Sequence, residues 1–217
     1  MRGVPRITRL DQRVPRVSPR KYRGAKTMST SNRIKGMLRT PEAEWDAIAR
    51  DMPGTGILLR NFLLPLSLLA PLATAVGLSM FDENWSAEYG YSLLAARVVN
   101  IAVATFVFEI ASVYLLAVVL YFLARTERQR PTFLVALRVA VFGSIPVLLS
   151  GAVLVIPAGM FVMLFAAMYA FYLYYLGAQR LIGVRESNSA VFIGVAMFCM
   201  MTLSSLLGAI ASALGMV

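Results

Sequence analysis

The chain contains no histidine. Without imidazole it lacks the commonest general base, a His-ligated haem and the mixed Cys/His zinc sites. Its single cysteine, Cys199, excludes an intrachain disulfide and leaves the redox compartment undetermined. No glycine-rich phosphate loop ends in Lys-Ser or Lys-Thr, and Gly54-Thr55-Gly56 reads only as a hinge before an apolar run. No nucleophile–base pair and no Cys cluster can be assembled from what remains. The expectation is a protein with no catalytic residues, no metal and no cofactor. Charge is scarce as well: the 41 residues from Val139 to Gln179 hold no Asp, Glu, Lys or Arg.

What is present is hydrocarbon. As one helix at about 1.5 Å per residue, that charge-free stretch would reach roughly 60 Å, twice the thickness of a bilayer core. It therefore reads as two spans folded back on each other, with the turn at Pro157-Ala158-Gly159. A hydrophobic share of 59% places the whole chain in the multi-span membrane class. The net charge of +10 comes from elsewhere: thirteen of the 21 basic residues precede Met52. Beside membrane spans, such a basic arm points to anionic headgroups and to orientation of insertion. No aromatic-basic recognition module accompanies it, so nucleic acid is not an expected partner.

Along the chain, residues 1–31 form a basic arm rich in Arg and Pro and are expected to be disordered, with Met28 as an alternative start. Residues 32–56 change character. Ile34, Met37, Leu38, Trp45, Ile48 and Met52 recur at helical spacing, and Thr40-Pro41-Glu42 is a helix start with Thr able to cap. Two short amphipathic helices, 32–39 and 41–51, are expected along the cytoplasmic membrane face, anchored at the interface by Trp45. The membrane domain then covers 57–217, with spans near 57–81, 101–124, 133–156, 158–176 and 191–216. Arg60 lies at the mouth of the first span, within snorkelling reach of headgroups, and Pro65 and Pro71 predict kinks. A short acidic and aromatic loop (Asp82, Glu83, Trp85, Glu88, Tyr89) is expected before the second span. Arg97 and Arg138 read as snorkelling residues, and Tyr169, Tyr172, Tyr174 and Tyr175 as an interfacial aromatic belt.

Orientation follows from the bases. In a five-span fold the arm, the loop 125–130 and the loop holding Arg180 and Arg185 share one side, opposite only Arg97. The positive-inside rule then puts the amino terminus in the cytoplasm and the carboxyl terminus across the membrane. The class is all-α: a polytopic membrane protein of five spans preceded by cytoplasmic amphipathic helices.

Two places could carry function. Glu109 falls near mid-membrane, where a lone acid costs a few kcal/mol unless it is protonated, paired or facing a polar interior. With Asn100 it forms a candidate intramembrane polar site, read either as a proton or cation relay or as a structural acid bonded between helices. Ser204, Gly208 and Ser212 recur every four residues on the fifth span, a packing face for helices of the same chain or of an oligomer.

The chain from Arg33 to Val217 resembles the YIP family of five-span membrane proteins, and most closely its bacterial branch. The resemblance rests on Pro41-x-x-x-Trp45-x-x-Ile48-Ala49 and on Leu64-Pro65-Leu66. It continues through Ala136-Leu137-Arg138-Val139-Ala140 leading to Pro146, and Tyr169-x-x-Tyr172-x-x-Tyr175-Leu176-Gly177. It implies a cytoplasmic amino terminus, in a bacterial inner membrane for that branch. The interfacial helix pair, the small-residue stripe and the lack of catalytic residues point to an organiser or adaptor working through protein and lipid contacts. Eukaryotic relatives bind prenylated small GTPases. The acidic cytoplasmic motif of those members is not evident here, which argues against GTPase binding. Rival expectations are a small transporter or channel using Glu109, and an accessory subunit of a membrane complex.

Overall fold

The computed structural model describes residues 29–81, 83–126, 129, 131–156 and 159–213. Residues 1–28 of the basic arm, with the alternative start at Met28, the Pro157-Ala158 half of the expected turn, and Arg128 and Arg130 lie outside the described residues. The last of the arm, residues 29–31, is not disordered but caps and opens the first helix. Every described element is helical. Two short helices come first, α1 (Thr30–Arg39) and α2 (Pro41–Asp51). Ser29 caps α1 by accepting a hydrogen bond from the Asn32 amide. Thr40 does not cap α2 with its side chain. Its amide and its hydroxyl both donate to the Gly36 carbonyl, so it closes α1 instead, while Pro41 supplies the preset φ that opens α2.

Five helical stretches are long and apolar enough to cross a membrane: Thr55–Leu78, Ala96–Arg125, Phe133–Val155, Phe161–Ile182 and Glu186–Leu206. Their outward faces leave Phe161, Phe165, Phe198 and Met201 largely exposed, which suits lipid as the solvent and would be costly in water. The third span is the hub, with 72% of its most apolar stretch buried against 22% for the second and fifth.

Prolines shape the spans where the sequence places them. Ahead of Pro65 the first span widens into a π turn at Leu59–Leu63, since the ring obstructs the carbonyl four residues back. It breaks again at Leu68, ahead of Pro71. In the third span the break falls at Ser144, with Pro146 second in the next helix, Ile145–Ser150. That span ends as a 3-10 turn, Gly151–Val155, and the extended conformation of Ile156 is the one a residue before proline prefers. Gly159 then opens the fourth span, its amide bonded to the Ile156 carbonyl, in a spot where a Cβ would strike the Val153 carbonyl.

One boundary differs from the sequence expectation. Of the residues expected to form a loop before the second span, Asp82 lies outside the described residues, and Glu83, Trp85, Glu88 and Tyr89 belong to a single helix, Glu83–Thr126. Its early part contains no proline and a single glycine, Gly90, so nothing local stops the helix from extending beyond the bilayer.

Candidate functional site

Two regions carry the polar chemistry of the membrane domain. The first is the seam where α1 and α2 dock on the bundle. Helices end with carbonyls that have no partner in their own helix, and here the spans supply the donors. Tyr169 of the fourth span directs its hydroxyl at the Met37 and Leu38 carbonyls, 3.1 and 3.2 Å away, in the last turn of α1. Arg138 of the third span does the same past the end of α2. Its Nε donates to the Pro53 carbonyl at 2.9 Å, one terminal nitrogen to the Met52 carbonyl at 3.0 Å, and the other approaches the Met52 sulfur at 3.1 Å. Met52 is the left-handed cap of α2, with φ 44°, a conformation that costs about 1 kcal/mol or more outside glycine. The guanidinium thus grips the one strained turn in this segment, and its charge lies at the negative end of the α2 dipole.

Apolar packing completes the seam. Trp45, Met37 and Ile48 are fully buried, and the Trp45 ring meets Phe142 edge-on, centroids 6.3 Å apart. Gly177 leaves room for the indole, because a Cβ there would lie 2.9 Å from two of its ring carbons. Ionic contacts lie around this plug. Arg33 reaches Asp51 at 2.6 Å and Glu44 at 3.5 Å, and Arg180 of the fourth span pairs with Asp46 at 2.9 Å. Burial pushes the Glu44 carboxyl above its ordinary range; the Arg33 charge opposes that shift and Asp51 reinforces it.

Three sequence readings change here. Trp45 is not a lipid-interface anchor; it is a core residue, held by protein on every side. Arg138 does not snorkel to headgroups, because backbone carbonyls meet it 6% exposed inside the protein. The tyrosines do not form one belt. Tyr169 caps α1, Tyr174 is buried against Ser144, and only Tyr172 is exposed. Arg60 is exposed, as a residue reaching for headgroups would be.

The second region is a chamber of about 370 Å³ within the bundle, to which all five spans contribute. Ala70, Val113, Leu148 and Met197 represent its largely apolar wall. Glu109, midway along the second span, lines it, and one carboxyl oxygen is buried with no hydrogen-bond partner. Asn100 is not brought to this site: it is exposed and lines no part of the chamber. Ser144 and Tyr174 do join Glu109, their hydroxyls 2.7 Å apart. Their meeting could not be read from sequence, since each looks like an ordinary residue of its own span. On the fifth span Ser204 is half-buried, while the side-chain surroundings of Gly208 and Ser212 lie outside the described residues.

These features define an integral, polytopic helical membrane protein whose pre-span helices are keyed into its own bundle. The Yip1 domain family model matches residues 35–213, and the chain belongs to that family. No curated protein matches the chain, and no solved structure does.

Proposed function

We propose that the protein is a membrane organiser or adaptor, working by protein and lipid contacts and not by catalysis. The observation that supports this most directly is the docked seam: Arg138 and Tyr169 fix α1 and α2 against the bundle as a preformed surface. Lys35, Arg39 and Arg50 of these helices are exposed, as are Arg125, Arg180 and Arg185 at the span ends. On the positive-inside rule this basic end faces the cytoplasm, opposite the carboxyl terminus, and attracts anionic headgroups. Membership of the Yip1 family is in keeping with such a role. The test is purification of the tagged full chain from its own membranes in mild detergent, after crosslinking in the intact bilayer. A defined homo- or hetero-oligomer that dissociates when Arg138→Met frees the seam supports the reading; a monomer with no crosslinked neighbour counts against it.

A second reading, a small transporter, has the unpartnered oxygen of Glu109 in its favour. It requires flux in reconstituted vesicles that depends on pH and disappears in Glu109→Gln.

A further inference from the structure

The chamber around Glu109 has a hydrogen-bond polarity that can be worked out atom by atom. Ser144 Oγ donates its one hydrogen to the Ala140 carbonyl at 2.7 Å. Its 2.7 Å contact with Tyr174 must therefore be made by the tyrosine hydrogen, which uses that donor too. Thr105 Oγ1, also in the lining, donates to the Ile101 carbonyl at 2.8 Å. Three of the four lining hydroxyls thus have their hydrogens engaged and only lone pairs left to offer; Ser112, the fourth, still has its hydrogen to give. Glu109 adds a carboxyl with an unpartnered oxygen. Acceptors outnumber free donors among these side chains, with the Ser112 hydroxyl as the one donor left over.

Apart from Ser112, the remaining surface is apolar. Leu116, Val147, Leu148 and Leu154 line it, and Phe108, 55% exposed, stands where the chamber reaches the outside of the bundle. The space is large enough for several waters, yet so apolar a lining gives few of them partners. Its volume falls within the range of about 300–1,000 Å³ usual for small-molecule sites.

We propose that this chamber binds a single-chain amphiphile with an amine head, entering from the bilayer beside Phe108, with the head on Glu109 and the chain among the aliphatic side chains. An amine suits the carboxyl in either protonation state. An ammonium donates to the carboxylate, and a free amine accepts from the acid. The hydrogens left on nitrogen then face the spare lone pairs of the hydroxyls. A fatty acid of equal length would bring a second acid and fit poorly. The site does not depend on the adaptor reading and needs nothing to cross the membrane.

The experiment uses the full chain in phosphatidylcholine vesicles with a photoreactive long-chain alkylamine, the labelled peptides being identified by mass spectrometry. Labelling is expected to concentrate on the second, third and fifth spans around Glu109, Val147 and Met197. Excess dodecylamine should suppress it, and dodecanoate should not. Glu109→Gln should lower it about tenfold. Photoreagents of this kind can favour carboxylates, so Val147→Phe, which fills the chamber and leaves Glu109 in place, should lower it as well. The proposal is overturned by labelling spread evenly over lipid-facing residues such as Phe165 and Phe198. Equal competition by the amine and the acid overturns it too, as does loss in Glu109→Gln without loss in a folded Val147→Phe. The competition arm uses the unaltered chain and decides the matter if the variants do not fold.

Discussion

Arg138 and Glu109 both stand inside the span region, yet the protein surrounds them in opposite ways. At the docking seam, all three guanidinium nitrogens of Arg138 find acceptors on Met52 and Pro53. In the chamber, Glu109 keeps an oxygen with no partner, beside three hydroxyls (Thr105, Ser144 and Tyr174) whose hydrogens point elsewhere. A buried guanidinium whose three nitrogens each meet an acceptor holds the structure around it; a buried carboxyl oxygen left unpaired costs free energy unless something else supplies its partner. For these two residues the first arrangement suits a fixed joint and the second a binding site. Arg33, Glu44 and Trp45 show that the seam also holds buried polar atoms with no hydrogen-bond partner.

This contrast can be broken experimentally, beginning at the joint. Arg138→Met keeps much of the apolar length and removes every donor, orphaning two carbonyls. A loss of about 3 kcal/mol is expected by denaturant unfolding in micelles, with new proteolytic cutting near Met52. Gly177→Ala pushes a methyl against the Trp45 ring and should lose about 2 kcal/mol by overpacking. Tyr169→Phe removes one shared hydrogen and should cost about 1 kcal/mol, with faster amide exchange in α1.

The seam should also respond to pH through Glu44. Its carboxyl titrates higher in the fold than in the unfolded chain, so the folded state binds the proton more tightly. The stability from that proton is complete below the ordinary value of 4.5 and is lost as pH rises through the raised folded value. Amide exchange of α1, corrected for its intrinsic base catalysis, should therefore lose protection as pH rises across this window, and Glu44→Gln should flatten that loss. The smallest effect is expected in the chamber: Glu109→Gln removes no contact and should change stability by about 0.5 kcal/mol or less. A large loss there would mean that Glu109 is structural after all, and the contrast with Arg138 would disappear.

Much of the membrane domain was legible in the sequence because hydropathy and proline act locally. The five spans, the start of α2 at Pro41 and the interruptions near Pro65, Pro71 and Pro146 all follow from side chains close to the effect. What could not be read is what solvates an apolar face. Trp45 looks the same to a periodicity argument whether lipid or Phe142 covers it, since both are hydrocarbon. Arg138 near a span end fits snorkelling equally well until the carbonyls at Met52 and Pro53, some 85 residues away in the chain, are seen beside it. Glu109 stood out as the one acid within the spans, but its neighbours come from several helices and carry no sequence mark of their meeting. The long helix from Glu83 was hidden for a different reason: polar and aromatic residues resemble a loop in composition even when nothing in them breaks a helix.

Both the seam and its expected responses require that α2 belongs to the membrane bundle and does not float on the bilayer surface. The direct test places cysteines at Asp46 and Arg180 in a Cys199→Ser background and treats intact membranes with a short bifunctional maleimide. Docking as described, with these side chains 2.9 Å apart in the native pair, predicts rapid internal crosslinking of most of the protein. Two separately modified thiols with no crosslink would contradict it.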